Sequence, residues 1–213
     1  MDTDQVPPTQ KGRHHEIRAL ALRDFAGLRF DDEPLDPFAL AKYAKLMIPS
    51  FDEIDGLSEV TRTQLLEIGK DDWSGGAASI KLPNGWRLII LNPQHGKNRH
   101  NATLMEEVSH VFLGHKPSRL AIKNTNKDGK PIARDYRQEI EEEAYGTGAA
   151  ALLPYTAIKR MAEEGMTVAQ IARHFNVSRA LVEYRLKISR LWNTYKDNVF
   201  GGSGLERPAS RRP

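Results

Sequence analysis

Thr103-Leu104-Met105-Glu106-Glu107-Val108-Ser109-His110-Val111-Phe112-Leu113-Gly114-His115 reads as a helix with two chemically different faces. Leu104, Val108, Val111 and Phe112 recur at the three-and-four spacing of a buried stripe, while Glu106 and His110, one turn apart, project together from the opposite side. That side suits a metal ion. In the pattern H-E-x-x-H, two imidazoles one turn apart bind zinc, and the glutamate after the first acts as general base on water. Here the pattern is E-E-x-x-H. Glu107 stands at the base position and His110 at the second ligand position, but the first ligand position carries the carboxylate of Glu106.

Composition bounds what this helix belongs to. With 213 residues and 39% hydrophobic content, the chain can build one substantial domain, or one domain with a small appendage. No apolar run approaches the roughly 20 residues that cross a bilayer, so no membrane partner is expected. The polar start, with Pro7-Pro8 and no apolar core, does not read as a secretory signal. The absence of cysteine excludes a disulfide frame and a thiolate metal site, and the expected location is the cytoplasm. A net charge of +3 is too small to make the whole chain a polycation.

Outward from the helix, residues 1–12 read as disordered and 14–28 as an amphipathic helix packing through Ile17, Leu20, Ala21, Phe25 and Leu28. Asp36 before Pro37 caps a helix over 37–45, a short strand follows at 46–49, and Ser58 caps a third helix to about 68. Ser74-Gly75-Gly76 reads as a break. Pro83-Asn84-Gly85, between an apolar run at 78–82 and another at 86–91, is a hairpin signature, because Asn-Gly accepts the positive φ that the turn demands. Beyond the central helix, Asn126-Lys127-Asp128-Gly129 predicts a turn joining short strands at 120–122 and 132–133. A further helix from about 137 carries Glu139, Glu141, Glu142 and Glu143, turns small in Gly146-Thr147-Gly148-Ala149-Ala150-Ala151, and ends before Pro154. Helical glycines cost about 1 kcal/mol each relative to alanine, so these two point to close helix contact. Glu139, Glu141 and Glu143 read as a solvated acidic face, and His115, past the Gly114 stop, as a cap or supporting group.

The last third changes character. Thr167 caps a short helix with Val168, Ile171, Ala172 and Phe175 on one face, Asn176-Val177 makes a turn, and Ser178 caps a second helix. This is a helix-turn-helix pattern. Its second helix is rich in Arg and Lys, so as a DNA reader it would use Ser178, Arg179, Tyr184, Arg185 and Arg190. The alternative is that these helices only close the domain. The predicted organisation is a disordered 1–12, a main domain over 13–156, a helix-turn-helix-like unit over 157–198 and a flexible basic tail over 199–213.

Taken together, these segments resemble the ImmA/IrrE family of metallo-endopeptidases. The carrying motifs are Glu106-Glu107-Val108-Ser109-His110, Ala149-Ala150-Ala151-Leu152-Leu153-Pro154, and the segments Leu35-Asp36-Pro37-Phe38-Ala39-Leu40 and Asn176-Val177-Ser178 to Tyr184-Arg185-Leu186, so the resemblance covers roughly residues 14–195. It implies an α+β, zincin-like helical core with a small hairpin sheet and a C-terminal helix-turn-helix-like unit. It implies a zinc centre held by Glu106, His110 and Glu142 with Glu107 as catalytic base; manganese or iron(II) suits two carboxylates and one imidazole at least as well. The implied substrate is a protein, typically a transcriptional repressor cut to release stress-response or mobile-element genes. The sequence departs from the family at Glu106, where histidine is usual, and three readings follow. Glu106 ligates the ion; or the site has lapsed and the chain is an inactive regulator binding DNA or a repressor; or Thr103 and Glu106 form a capping box at a helix start and His110 is an ordinary interfacial histidine. On the helix residues alone the last is the simplest.

Overall fold

The computed structural model describes residues 5–115, 124–125, 131–132 and 138–200. Among them the fold is α+β, a helical core with a small sheet. Helix α1 spans Gln10–Phe25 and α2 Pro37–Tyr43, the latter started by Asp36, whose side chain accepts from the Phe38 amide, with proline at the first helical turn. Strand β1 (Leu46–Met47) runs parallel to β3 (Arg87–Leu91), which pairs antiparallel with β2 (Gly75–Lys81). Among the described residues, the order β1-β3-β2 leaves β2 at an edge. Between β1 and β2, α3 (Glu59–Thr63) continues as a wider turn over Gln64–Ile68.

The Asn-Gly hairpin forms as its chemistry requires. Gly85 sits at φ 82°, and Asn84 Oδ1 accepts from the Trp86 amide at 3.0 Å. The expected break at Gly75-Gly76 does not occur, because both glycines lie inside β2. A Cβ on Gly75 would stand 2.7 Å from Thr103 Cγ2 and 3.0 Å from the Ile90 carbonyl oxygen, so glycine here lets the sheet press onto the next helix.

That helix, α4, runs Lys97–Phe112, and α5 runs Gln138–Leu152. Leu104, Met105 and Val108 are fully buried, whereas Phe112, expected in the same stripe, is partly exposed and meets Phe25 edge-on. The small residues of α5 do what their glycines suggested. A Cβ on Gly148 would lie 3.2 Å from both the Met105 carbonyl oxygen and Ser109 Oγ, so α5 rests almost on the α4 backbone, and Gly146 gives the same room to the His15 ring.

Helix α1 corrects the sequence reading twice. It starts at Gln10 under a Thr9 cap, inside the stretch expected to be disordered, and its inward face is not Ile17, Leu20 and Phe25, which are exposed. The buried positions are His15, Glu16, Ala19, Leu22 and Arg23, which share one helical stripe. Glu16 and Arg23 are tolerated there because they are paired: Glu16 with Arg185, and Arg23 by donating to the carbonyls of Ala151, Phe30 and Glu33.

Four further helices follow: α6 (Tyr155–Glu163), α7 (Val168–His174), α8 (Arg179–Ile188) and α9 (Trp192–Phe200). Thr167 and Gln170 make a capping box on α7, Asn176 takes φ 54° in the turn, and Ser178 caps α8, so α7 and α8 form a pair joined by a short turn. Its apolar side is not separate. One buried cluster runs from Ala19 through Leu104 and Ala150 to Leu181, Leu186 and Tyr195. Short strands β4 (Asn124–Thr125) and β5 (Pro131–Ile132) pair antiparallel. The predicted strand at 120–122, the predicted turn at 126–129, residue 133, residues 1–4 and tail residues 201–213 lie outside the described residues. No described helix is long and apolar enough to cross a membrane.

Candidate metal centre

Helix α4 begins at Lys97, so Thr103 lies well inside it and cannot start a capping box with Glu106. The acidic face instead opens on a cleft of about 780 Å³. Glu106, Glu107 and His110 line it from α4, Glu141 and Tyr145 from α5, Gly75 to Ala77 from the edge strand β2, and Ser178 and Leu181 from the start of α8. Ligand atoms of Glu106, His110 and Glu141 all lie within 4.8 Å of one another, and each residue is half-buried. His110 Nε2 is 3.5 Å from Glu141 Oε2.

His110 is held from behind. Its Nδ1 is 3.0 Å from Nδ1 of His115, whose Nε2 is 3.0 Å from Glu143 Oε2. Glu143 also pairs with Arg18 of α1. Burial holds the His110 pKa below the ordinary histidine value, against the opposing pull of the Glu141 carboxylate, with the neighbouring His115 and Arg87 adding to the depression. The ring is thus favoured in the neutral form a ligand needs. Burial pushes the Glu143 carboxyl up, but the His115 hydrogen bond and the Arg18 charge together outweigh it and leave it below its usual range.

A family model, the IrrE N-terminal-like domain of Peptidase_M78, matches residues 69–187. The chain belongs to this metallopeptidase family. The matched stretch runs from before β2 to the last turn of α8 and so contains every residue of the cluster. No curated protein matches the chain.

Within this ImmA/IrrE-family site, the structure groups Glu141, not Glu142, with Glu106 and His110. Glu142 is not part of the cluster. It is exposed, forms an ion pair with Lys11 of α1, and accepts from Gln138 Nε2 at 3.0 Å. These partners, Lys11 first, hold its carboxyl below the usual value. Glu141, read from sequence as part of a solvated face, takes the place at the cleft. The donor set fits a divalent cation: two carboxylates and one imidazole, converging from two helices whose relative position is fixed by fully buried packing.

The residues expected to meet DNA divide. Arg179 and Arg190 are exposed. Ser178 accepts from the Leu181 amide as a helix cap and faces the cleft. Tyr184 packs its ring on Tyr145, centroids 5.1 Å apart. Arg185 is withdrawn from any phosphate: its side chain is 1% exposed, it pairs with Glu16 at 2.9 Å, and it donates to the Leu153 carbonyl at 3.0 Å. Two cleft residues had no sequence signal at all. Arg87, on β3, has its Nε buried without a partner among the described residues, and Arg99, on α4, donates to Ser74 Oγ at 2.7 Å.

Proposed function

We propose that this ImmA/IrrE-family protein is a metal-dependent endopeptidase with Glu106, His110 and Glu141 as metal ligands and Glu107 as general base. The carrying observation is the convergence of those three ligand atoms within 4.8 Å in a cleft that Glu107 also lines. Zinc accepts these donors, and manganese or iron(II) suits them equally. A bound ion would supply Lewis acidity, polarising a peptide carbonyl and acidifying water. Two anionic ligands temper that acidity relative to a two-histidine site.

The residues of the chain supply the rest. Glu107 follows Glu106 on α4 and lines the same cleft, which supports it as the base that would take the proton of the attacking water and return it to the leaving amine nitrogen. Strand β2 is an edge, and its Gly75 to Ala77 segment borders the cleft, so an extended substrate segment can be held there by strand addition. The peptidase family implies a protein substrate, and the family resemblance suggests a helix-turn-helix repressor of stress-response or mobile-element genes, cleaved in the cytoplasm. The second reading, an inactive regulator that binds a repressor or DNA, draws its support from the carboxylate at position 106.

Glu107→Gln separates the two. The amide matches the carboxylate in shape and 107 is not a ligand, so the variant should bind zinc like the parent yet fail to cleave a helix-turn-helix repressor on gels. Undiminished cleavage would remove Glu107 from the mechanism, and a folded parent that takes up no zinc, manganese or iron would sink the metal centre.

A further inference from the structure

Among the described residues, the arginines that are buried or half-buried are Arg23, Arg62, Arg87 and Arg185. All but one have the guanidinium occupied. Arg23 donates to backbone carbonyls, Arg185 pairs with Glu16, and Arg62 donates to the Ile54 carbonyl at 3.0 Å while lying 5.6 Å from the centre of the Phe51 ring. Arg87 is the exception: its side chain makes no hydrogen bond or ion pair among the described residues, although its Nε is buried. A partly desolvated charge without a partner is costly, so its partner is to be sought in what enters the cleft.

The sheet decides where this cation stands. Side chains along β3 alternate between faces, and Ile89 and Leu91, on the same face as Arg87, are buried. Arg87 ends that row. It lines the cleft with Glu106, His110 and Glu141, and its charge is felt at the His110 ring. On the neighbouring edge strand, regular pairing stops at Ala77 and resumes at Lys81, opposite Arg87. A peptide added along Gly75 to Ala77 therefore leaves the regular edge toward the end of the cleft where Arg87 stands.

We propose that Arg87 is a specificity-determining residue that receives an acidic side chain, Asp or Glu, close to the scissile bond of an extended peptide substrate. The inference rests on the endopeptidase reading and adds the class of segment that the cleft selects. When a peptide covers the cleft, Arg87 loses its remaining water. A carboxylate replaces that water with charge-assisted, two-pronged hydrogen bonds, a neutral side chain leaves the charge uncompensated, and a lysine or arginine adds repulsion. Arg99, the other cation lining the cleft, differs on both counts, being exposed and already donating to Ser74 Oγ.

Binding is read apart from cleavage. The protein is Glu107→Gln in zinc-containing buffer, and the probes are blocked, fluorescein-labelled decapeptides of alternating Thr and Val with Glu, Gln or Lys placed at each position in turn. Fluorescence anisotropy measures affinity. At one position the Glu peptide should bind roughly tenfold more tightly than the Gln peptide, the ratio expected for one hydrogen bond to a charged group, and the Lys peptide should bind more weakly still. Adding Arg87→Glu should invert the order at that position to Lys over Glu, which a merely structural role would not produce. Arg87→Lys keeps the charge and should keep the order with a smaller ratio. Arg99→Gln removes a cation about 16 Å before His110 along α4 and should leave the order in place. The inference is overturned if the Glu, Gln and Lys peptides bind alike or not at all, or if Arg87→Glu preserves the preference for Glu. Mapping the cuts that the parent makes in a proteome-derived peptide library tests the endopeptidase reading separately: a library left intact would count against that reading, while the order of peptide affinities still decides the role of Arg87.

Discussion

Replacing Arg185 by methionine distinguishes a buried strut from a DNA contact. Methionine keeps the apolar stem and removes the guanidinium, deleting the 2.9 Å pair with Glu16 and the 3.0 Å hydrogen bond to the Leu153 carbonyl. The Glu16 carboxylate, only 7% exposed, stays behind with the Tyr155 amide still donating to its other oxygen at 2.6 Å. Removing one member of a buried pair typically costs about 3–5 kcal/mol, because the remaining charge is left in a poor solvent. The retained Tyr155 bond places this case near the lower end, about 3 kcal/mol, and for a chain of this length each kcal/mol moves Tm by roughly 2–4 °C, so the expected fall is about 6–12 °C. Adding Glu16→Gln should recover part of it, since the stranded charge is then gone. Thermal melts measure the stability, and gel shifts on duplex DNA across a salt series measure the alternative. An unchanged Tm together with weakened, less salt-dependent DNA binding would refute the buried-pair reasoning and return Arg185 to a phosphate-facing surface.

Two further outcomes follow from the α1–α5 contact. Gly146→Ala puts a methyl group into the His15 ring and should destabilise by about 1–3 kcal/mol as an overpacked site, whereas unchanged urea unfolding would mean that the ring is elsewhere. Burial first, then the charges of Lys11, Arg185 and Arg18, hold the His15 pKa below the ordinary 6.5, with only Glu143 opposing. The unfolded chain therefore takes up its proton first as pH falls below about 6.5, and stability drops until the lower folded value is reached. His15→Asn should lose less stability than the parent between about pH 7.5 and 5.5, and equal losses would count against the shift.

The features that sequence revealed are those encoded locally. The faces of α4, the Asn84-Gly85 turn, the small stripe of α5 and the Thr167 and Ser178 caps each depend on residues within a turn or two. What escaped depends on distant partners. Arginine at 185 reads as a surface cation until Glu16 arrives from α1, and His15, Glu16 and Arg23 form an inward face only because α5 and neighbouring carbonyls receive them. Gly75 and Gly76 read as a break because nothing local announces that Thr103 crowds the strand. The acid run 141–143 was ambiguous for a geometric reason: each residue along a helix turns the side chain by about 100°. One step therefore separates Glu141 at the cleft from Glu142 at Lys11, and a family resemblance alone does not resolve one step. The helix start at Lys97 was the decisive hidden fact, since it removes Thr103 as a cap and with it the simplest reading of Glu106.

The identity of the third ligand carries the account, and calorimetric zinc titration of the parent beside Glu141→Gln and Glu142→Gln tests it directly. Glu141→Gln removes an anionic donor from a three-residue set and should weaken zinc binding by more than the roughly 100-fold that marks the upper range for losing an outer partner. Glu142→Gln removes only an exposed partner of Lys11 and should bind zinc as the parent does. Loss of zinc from Glu142→Gln with retention by Glu141→Gln would contradict the centre described here.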